Sequence, residues 1–319
     1  MEFTWRDGER TIVFGRGVAA DAVQALGGPG YLLLTTPRAN ALLPAIADAA
    51  GAVHLVPGGQ IPELAAAALP AAEGHDRIVA LGGGRLVDTA KAVAAARGVR
   101  AMAIPTTLSG AEMTSGHRHA AGVPDATPRV RCAVVVYDPA LAASQPPSDL
   151  AASALNALGH AVEGPCTIAA NPVATLAARD ATHRLVRAFD GAEPDRDDLA
   201  LGALLAGYTI DSTGFGLHHV MAQTLVRHAL TSHAQANAIM LPHTARALAA
   251  RFPQRVEAGV PDAAARLCAL TGATRLRDAG VAREDLDACA ETAAARRELA
   301  HTPPAASVAE LRAIYEAAW

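Results

Sequence analysis

The chain has 319 residues, of which 51% are apolar, 18% charged and 3% aromatic, and its formal net charge is −4. This length predicts about two domains, while the negative charge and the scarcity of aromatic residues exclude a surface for nucleic acid or an anionic membrane. No apolar run reaches the roughly 20 residues of a membrane helix, no signal-peptide pattern is present, and the four widely spaced cysteines match no disulfide or zinc pattern. We therefore expect a cytoplasmic protein with reduced thiols.

The first half of the chain alternates short β-like runs with alanine-rich helical stretches. Such alternation is typical of a parallel sheet that is covered by helices on both faces. Strands are predicted at 11–14, 31–35, 53–56, 77–81, 101–104 and 133–137, and helices at 18–26, 39–50, 63–72 and 87–96.

The second half changes character after the segment Gln145-Pro146-Pro147-Ser148. There the β-like runs largely stop, and long stretches with helical periodicity predict an all-helical domain. The proline pair marks the boundary, so we expect an α/β domain over 1–147 and an all-α domain over 148–319. Helices are predicted at 150–164, 172–189, 197–230, 233–250, 261–269, 284–299 and 307–318.

Two loops of the first domain suit an anionic ligand. The predicted strand 77–81 runs into Gly82, Gly83 and Gly84, and a helix begins directly afterwards. The backbone N–H groups of such glycines and the helix dipole both favour a phosphate, although an ordinary flexible turn would have the same sequence. The hydroxyl-rich loop 104–114 follows the next strand, and it is either a ligand loop at the carboxyl edge of the sheet or a capped turn.

Five segments, in order along nearly the whole chain, resemble the iron-containing alcohol dehydrogenase superfamily, and most closely its maleylacetate reductase branch. The resemblance implies a dinucleotide-binding α/β domain followed by an all-α domain, in the dehydroquinate synthase-like architecture. It also implies hydride transfer in a cleft between the domains, and a homodimer. The segments are GGGRLVDTAK at Gly82–Lys91, PTTLSGAEMT at Pro105–Thr114, NALGHAVE at Asn156–Glu163, GLHH at Gly216–His219 and HAQANAIMLPH at His233–His243.

The cofactor that the resemblance implies is a nicotinamide dinucleotide. Its pyrophosphate would lie on Gly82–Gly84, with Asp88, Thr106 and Thr107 beside it. The segment 35–38 (TTPR) lacks the acidic residue that binds a ribose 2′-hydroxyl, and a nearby arginine can accept a 2′-phosphate instead. Both NADH and NADPH therefore remain open.

The metal site of the superfamily is altered in this sequence. In metal-dependent members, one aspartate and three histidines bind iron or zinc, and the corresponding residues here are Asn156, His160, Gln223 and His233. Amide oxygens are weak ligands for these ions compared with carboxylate and imidazole, so we expect no metal. Asn156 agrees with the maleylacetate reductase branch, whereas Gln223 departs from both branches.

A reductase without a metal still needs an acceptor-binding group and a proton donor besides the hydride of its cofactor. Imidazoles titrate near neutral pH, so His160, His219 and His233 are the catalytic candidates, and we favour His219 and His233 as acid and substrate anchor. For each histidine the alternative is a packing role. Further candidates for substrate contact are Asn156, His218, Gln223, His117 and His243.

These observations predict a metal-independent, NAD(P)H-dependent reductase that acts on a C=C or C=O bond of a small acidic substrate. Three alternatives stay open. A non-redox lyase, dehydratase or cyclase would explain Arg85, where the family usually has serine, together with Gln223. A metal-dependent alcohol dehydrogenase would require Asn156 and Gln223 as ligands. A catalytically inactive partner subunit is disfavoured by the retained glycine loop and histidines.

Overall fold

The computed structural model describes residues 1–229 and 232–319. It divides into two compact units, Met1–Gln145 and Pro146–Trp319. The division lies two residues before the boundary that the proline pair predicts. Among the described residues, no helix is both long enough and apolar enough to cross a membrane.

The first unit is built on a seven-stranded sheet. Its strands are β1 (Phe3–Asp7), β2 (Arg10–Phe14), β3 (Leu32–Thr35), β4 (Ala52–Leu55), β5 (Arg77–Gly82), β6 (Arg100–Pro105) and β7 (Cys132–Tyr137). Their order is β1-β2-β7-β6-β5-β3-β4, and every pairing is parallel except β1 with β2. The sheet is therefore parallel, as predicted, except at the edge that the β1–β2 hairpin forms. Gly8, at a φ of 59°, supplies the tight hairpin turn that joins these two strands.

The core of the first unit lies against the middle of this sheet. Every residue of β3 and of β5 is buried, as expected for parallel strands that are covered on both faces. Buried side chains from neighbouring strands and helices, such as Leu33, Val79 and Ile46, form one apolar cluster. The helices of this unit are α1 (Ala22–Ala25), α2 (Pro37–Leu42), α3 (Pro44–Asp48), α4 (Ile61–Ala68), α5 (Gly84–Arg97) and α6 (Pro139–Ala142).

The described residues of the second unit form helices and no strand. The helices are α7 (Pro147–Glu163), α8 (Pro172–Arg187), α9 (Arg196–Thr213), α10 (Leu217–His228), α11 (His233–Arg251), α12 (Val260–Ala269), α13 (Asp285–Ala294) and α14 (Val308–Ala318). Helix α7 is buried along most of its length and packs against α8, α9, α11 and α12.

The predicted continuous helix 197–230 is wrong, because the chain breaks between α9 and α10. Gly214 has a φ of 67°, a conformation that ends a right-handed helix. The last residue of the predicted helix, Leu230, lies outside the described residues. The break creates a second helix N-terminus, at α10, inside the helical unit.

Candidate active site

Helix α7 carries three buried polar side chains at its C-terminal end. Asn156 and His160 are four residues apart and share a face, and Glu163 follows within one turn. All three are buried, Glu163 completely. A Cβ on the intervening Gly159 would lie 2.6 Å from His218 Nε2, so only glycine lets α10 approach α7 here. Polar groups buried this deeply need partners.

Glu163 finds its partners in the first turn of α10. Its Oε2 atom accepts hydrogen bonds from the backbone N–H groups of Gly216 at 3.1 Å, His218 at 3.0 Å and His219 at 3.4 Å. The N–H groups that begin a helix carry partial positive charge. Burial raises the pKa of Glu163, whereas these N–H donors act to lower it. The carboxylate thus caps the helix that begins after the break at Gly214.

The other oxygen of Glu163, Oε1, forms a short hydrogen bond with Nδ1 of His219. Because a carboxylate only accepts, Nδ1 carries the proton and Nε2 carries a lone pair. The His219 ring stacks on that of His160, with centroids 4.7 Å apart and an interplanar angle of 20°. Among the described residues, neither Nε2 of His219 nor Nδ1 of His160 has a hydrogen-bond partner, although both atoms are buried. Two adjoining imidazoles thus each keep a nitrogen for a ligand.

Burial changes the protonation of this pair. It lowers the pKa of His219 to about 3, and it holds the pKa of His160 well below its usual value. Burial therefore disfavours the charged imidazolium form of both rings in the free protein, and proton donation by either of them stays a prediction. A proton on Nε2 of His219 requires a nearby negative charge, and Glu163 already supplies one at the opposite nitrogen.

His218 lies in the interior of the helical unit, edge-on to the His219 ring. Its Nδ1 donates to Thr244 Oγ1 at 2.8 Å, and the Thr244 hydroxyl donates in turn to the Met240 carbonyl at 3.0 Å. The side chain is fully buried against Gly159. Its Nε2, like that of His219, is buried without a hydrogen-bond partner among the described residues, and substrate contact by His218 stays a prediction.

The two histidines on α11 have different surroundings. His233, the first residue of the helix, is exposed, and its charge contributes to the lowered pKa values of His160 and His219. His243 lies ten residues further along, about 15 Å away along the helix axis. Burial and then Arg246 lower the pKa of His243. The structure thus brings His233 near the stacked pair and leaves His243 apart from it.

His117 belongs to the first unit and holds its own loop together. Its Nδ1 donates to the Arg118 carbonyl at 2.9 Å, and its Nε2 accepts from the Val130 N–H at 3.1 Å. Both ring nitrogens are therefore occupied by backbone groups. Substrate contact by His117 stays a prediction, and it would require contact through the ring carbons or the exchange of one of these bonds.

Gln223 is hydrogen-bonded to Arg296, a residue that belongs to none of the sequence motifs. Gln223 follows His219 by four residues on α10 and so shares its face. Its Oε1 atom accepts a hydrogen bond from Arg296 Nη2 at 2.8 Å. Arg296 also donates to the Val220 carbonyl at 3.2 Å, and its guanidinium lies 5.9 Å from the ring centroid of Phe215.

The positions that bind a metal in metal-dependent relatives do not fit an iron or zinc ion in this chain. The carbonyl oxygen of Gln223 is bonded to a guanidinium, which would repel a second cation. Asn156 contributes another neutral amide in place of a carboxylate, and Glu163 is already bonded to α10 and His219. Over residues 1–229 and 232–319, no three or more His, Cys, Asp or Glu side chains are grouped so as to hold a metal ion.

In the first unit, the hydroxyl-rich loop 104–114 (the second loop) packs closely on Gly82–Gly84 (the glycine loop). Strand β5 ends at Gly82, and Gly83, the residue before α5, has no side chain of its own to cap the helix. A Cβ on Gly84 would lie 2.7 Å from Ser109 Oγ, and one on Gly83 would lie 3.0 Å from Thr107 Cγ2. The glycines therefore allow the two loops to touch at the N-terminus of α5, and a glycine-lined helix N-terminus is the kind of site that binds a pyrophosphate.

Lys91, the only lysine of the chain, holds the second loop against α5. It is fully buried on α5 and pairs with Asp88 Oδ1 at 2.8 Å. Its ammonium group also donates to three backbone carbonyls of the second loop, at 2.8 to 3.0 Å: those of Ala111, Thr114 and Gly116. Asp88 thus has a structural role, while cofactor contact by Asp88, Thr106 and Thr107 stays a prediction.

Comparison with known proteins decides the family. A model of the Fe-containing alcohol dehydrogenase family, C-terminal, matches residues 150–319, and a model of iron-containing alcohol dehydrogenase matches residues 46–118. The chain belongs to the iron-containing alcohol dehydrogenase family. This confirms the family and the fold class that the sequence predicts, and it makes the protein an oxidoreductase.

Within the family, the chain is similar to maleylacetate reductases. The maleylacetate reductase of Rhizobium sp. (strain MTP-10005) is 32% identical, over 92% of this chain and 91% of its own. The crystal structure of maleylacetate reductase from Agrobacterium tumefaciens has a TM-score of 0.85 at 27% identity and covers 99% of this chain and 97% of its own. Sulfoacetaldehyde reductase from Bifidobacterium kashiwanohense, in complex with NAD+, shares the fold at 21% identity, with a TM-score of 0.80 and 99% of each chain covered.

Proposed function

We propose that this family member is a metal-independent, NAD(P)H-dependent reductase of the maleylacetate reductase kind. It acts on a C=C or C=O bond of a small acidic substrate. The observation that carries the proposal is the buried Glu163–His219 pair beside His160, which keeps two imidazole nitrogens for a ligand. The similarity to maleylacetate reductases over nine-tenths of the chain supports the substrate class.

The first unit binds the cofactor in this proposal. The backbone N–H groups after Gly82 hold its pyrophosphate at the N-terminus of α5, and Lys91 keeps the second loop in place beside it. When bound, the reduced nicotinamide supplies the hydride. Arg85, exposed in the first turn of α5, adds positive charge near the phosphates.

The second unit binds the acceptor and handles the proton. A carboxylate of the substrate near His219 favours the charged imidazolium, and Glu163 stabilises that charge from the Nδ1 side. The proton then resides on Nε2 of His219 and passes to the reduced atom of the substrate. His160 binds the same substrate carboxylate through Nδ1. His233, which is exposed, binds the substrate as a second anchor.

The test of this proposal is an assay of NADH and NADPH oxidation in the presence of maleylacetate. The reaction is measured as the loss of absorbance of the reduced nicotinamide. The wild type is expected to oxidise at least one cofactor, and His219→Asn is expected to lower kcat by about 100-fold or more. The control is His228→Asn on the same helix. His228 is exposed, and its Nε2 lies 2.9 Å from Thr292 Oγ1 rather than in the histidine cluster. Turnover of substrate without a nicotinamide would refute the proposal in favour of a non-redox enzyme.

Two further predictions accompany the proposal. The homodimer and the cytoplasmic location that the sequence suggests stay predictions. Light scattering of the purified protein tests the first, and cell fractionation tests the second.

A further inference from the structure

Arg296 is the residue beside the histidine cluster whose charge the proposed chemistry has not used. Its side chain is 11% exposed, so the guanidinium is largely removed from water but still reachable. It lies over the ring of Phe215, whose centroid is 6.2 Å from that of His219. It is also close enough to His219 for its charge to affect the imidazole.

The contacts of Arg296 hold the guanidinium in a fixed orientation. Nη2 donates to Gln223 and Nη1 donates to the Val220 carbonyl, both on α10. On the other side, Nε lies 3.6 Å from Glu298 Oε2. These contacts use three of the five N–H groups of the side chain. Among residues 1–229 and 232–319, no acceptor contacts the second N–H on either terminal nitrogen.

The charges around this guanidinium favour an anion. Glu298 is the nearest carboxylate and approaches only the Nε side. Gln223, on the side of His219, is neutral and therefore orients the guanidinium without cancelling its charge. Two parallel N–H groups of an arginine match the two oxygens of a carboxylate.

We propose that Arg296, oriented by Gln223, binds a carboxylate of the substrate. The protein's own cation then stands beside the histidine cluster, where metal-dependent relatives hold a metal ion. This inference rests on the proposed function for its substrate class. It explains Gln223, because a histidine at that position would offer Arg296 a cationic or donor group in place of a carbonyl oxygen.

The experiment measures binding of maleate, a dicarboxylate without the ketone, by calorimetry in the absence of cofactor. Arg296→Met removes the charge, and Gln223→Glu leaves Arg296 in place but neutralises it with a competing carboxylate. Each variant is expected to weaken maleate binding by about 10- to 100-fold, the range of charge-assisted hydrogen bonds. Arg296→Lys keeps the charge and is expected to recover part of the binding. The matched control is Arg283→Met, which removes a positive charge that pairs with Glu316 on the surface of the same unit.

The outcomes separate this inference from the proposed function. Weaker maleate binding in Arg296→Met and Gln223→Glu, with a raised KM for maleylacetate and an unchanged KM for the cofactor, supports it. If Arg296→Met does not fold, Gln223→Glu carries the test. Absence of maleate binding by the wild type, or wild-type affinity in a folded variant, overturns it even if NAD(P)H is oxidised. Failure of the wild type to oxidise either cofactor with maleylacetate refutes the proposed function, and the maleate result still decides whether Arg296 binds a carboxylate.

Discussion

The substitution Glu163→Gln tests how the helical unit positions its histidine cluster. The carboxylate accepts three backbone N–H groups on one oxygen and His219 Nδ1–H on the other. Glutamine keeps one oxygen for the helix N-terminus, but its NH2 group then faces the Nδ1–H of His219, so two donors oppose each other. Either that contact is lost or the imidazole takes the other tautomer, which removes the lone pair from Nε2.

The magnitude follows from these bonds. A hydrogen bond to a charged group contributes about 1.5–3 kcal/mol, and the helix N-terminus loses its anion at a cost of about 1 kcal/mol. We therefore expect the free energy of unfolding to fall by about 2.5–4 kcal/mol. Without a negative charge to stabilise the imidazolium, kcat should fall by about 100-fold or more.

Urea unfolding and steady-state kinetics are the assays for Glu163→Gln. Its control is Glu257→Gln, which alters a Glu–His pair on the surface, where Glu257 bonds His183 at 3.0 Å. Both of those side chains are more than half exposed, so the control should change stability by less than about 1 kcal/mol. If Glu163→Gln unfolds and turns over like Glu257→Gln, the buried pair is not the centre of the site.

Three further changes test other parts of the structure. Burial raises the pKa of Glu112 from 4.5 to about 7. The folded state therefore binds the proton of Glu112 more tightly than the unfolded state does. As the pH rises from 4.5 to about 7, the free energy of unfolding should fall by about 3 kcal/mol. Glu112→Gln should remove this slope from urea unfolding at stepped pH, and an unchanged slope would refute the assignment. Gly159→Ala places a Cβ 2.6 Å from His218 Nε2 and should lower the free energy of unfolding in urea by about 1–3 kcal/mol. The control Gly58→Ala, where no atom lies within 4 Å of the added Cβ, should have no such effect. Equal stabilities of the two variants would contradict the close packing of α10 on α7 at Gly159. Gly84→Ala displaces the second loop and should weaken NADH and NADPH binding in fluorescence titration without affecting maleate binding, and unchanged cofactor affinity would exclude the glycine loop as the phosphate site.

Much of the first unit could be predicted from local sequence. Continuous apolar runs such as 77–81 can be satisfied only as strands buried on both faces, and β5 has that environment. Strand β1 was missed because Phe3–Asp7 is half exposed and alternates polar with apolar residues at the sheet edge. In the second unit, helical periodicity located the helices but not the break at Gly214, because the apolar pattern continues through it.

The site was predictable only in part, for a physical reason. The motifs identified His160, His219 and Gln223 as neighbours in function, and the first two stack on each other. The groups that define their chemistry come from distant parts of the chain: Glu163 lies 56 residues before His219, and Arg296 lies 73 residues after Gln223. No local pattern encodes such pairs. Glu163 stood inside a recognised motif, and its position one turn after His160 was the available signal.

Burial was the second property that the sequence could not supply. It disfavours the charged form of His160 and His219, and it encloses the neighbours His218 and His219 of the GLHH segment among different partners, Thr244 and Glu163. Adjacent residues on a helix point in directions about 100° apart, so one can face a ligand while the other packs.

We propose that this family member reduces its substrate without a metal ion, and removal of metal from the purified enzyme tests this. The protein is stripped with a chelator, its iron and zinc contents are determined, and its rate of NAD(P)H oxidation with maleylacetate is compared before and after stripping. We expect an unchanged rate after stripping and no increase when Fe²⁺ or Zn²⁺ is returned. A rate that is abolished by stripping and restored by one equivalent of either metal would contradict it.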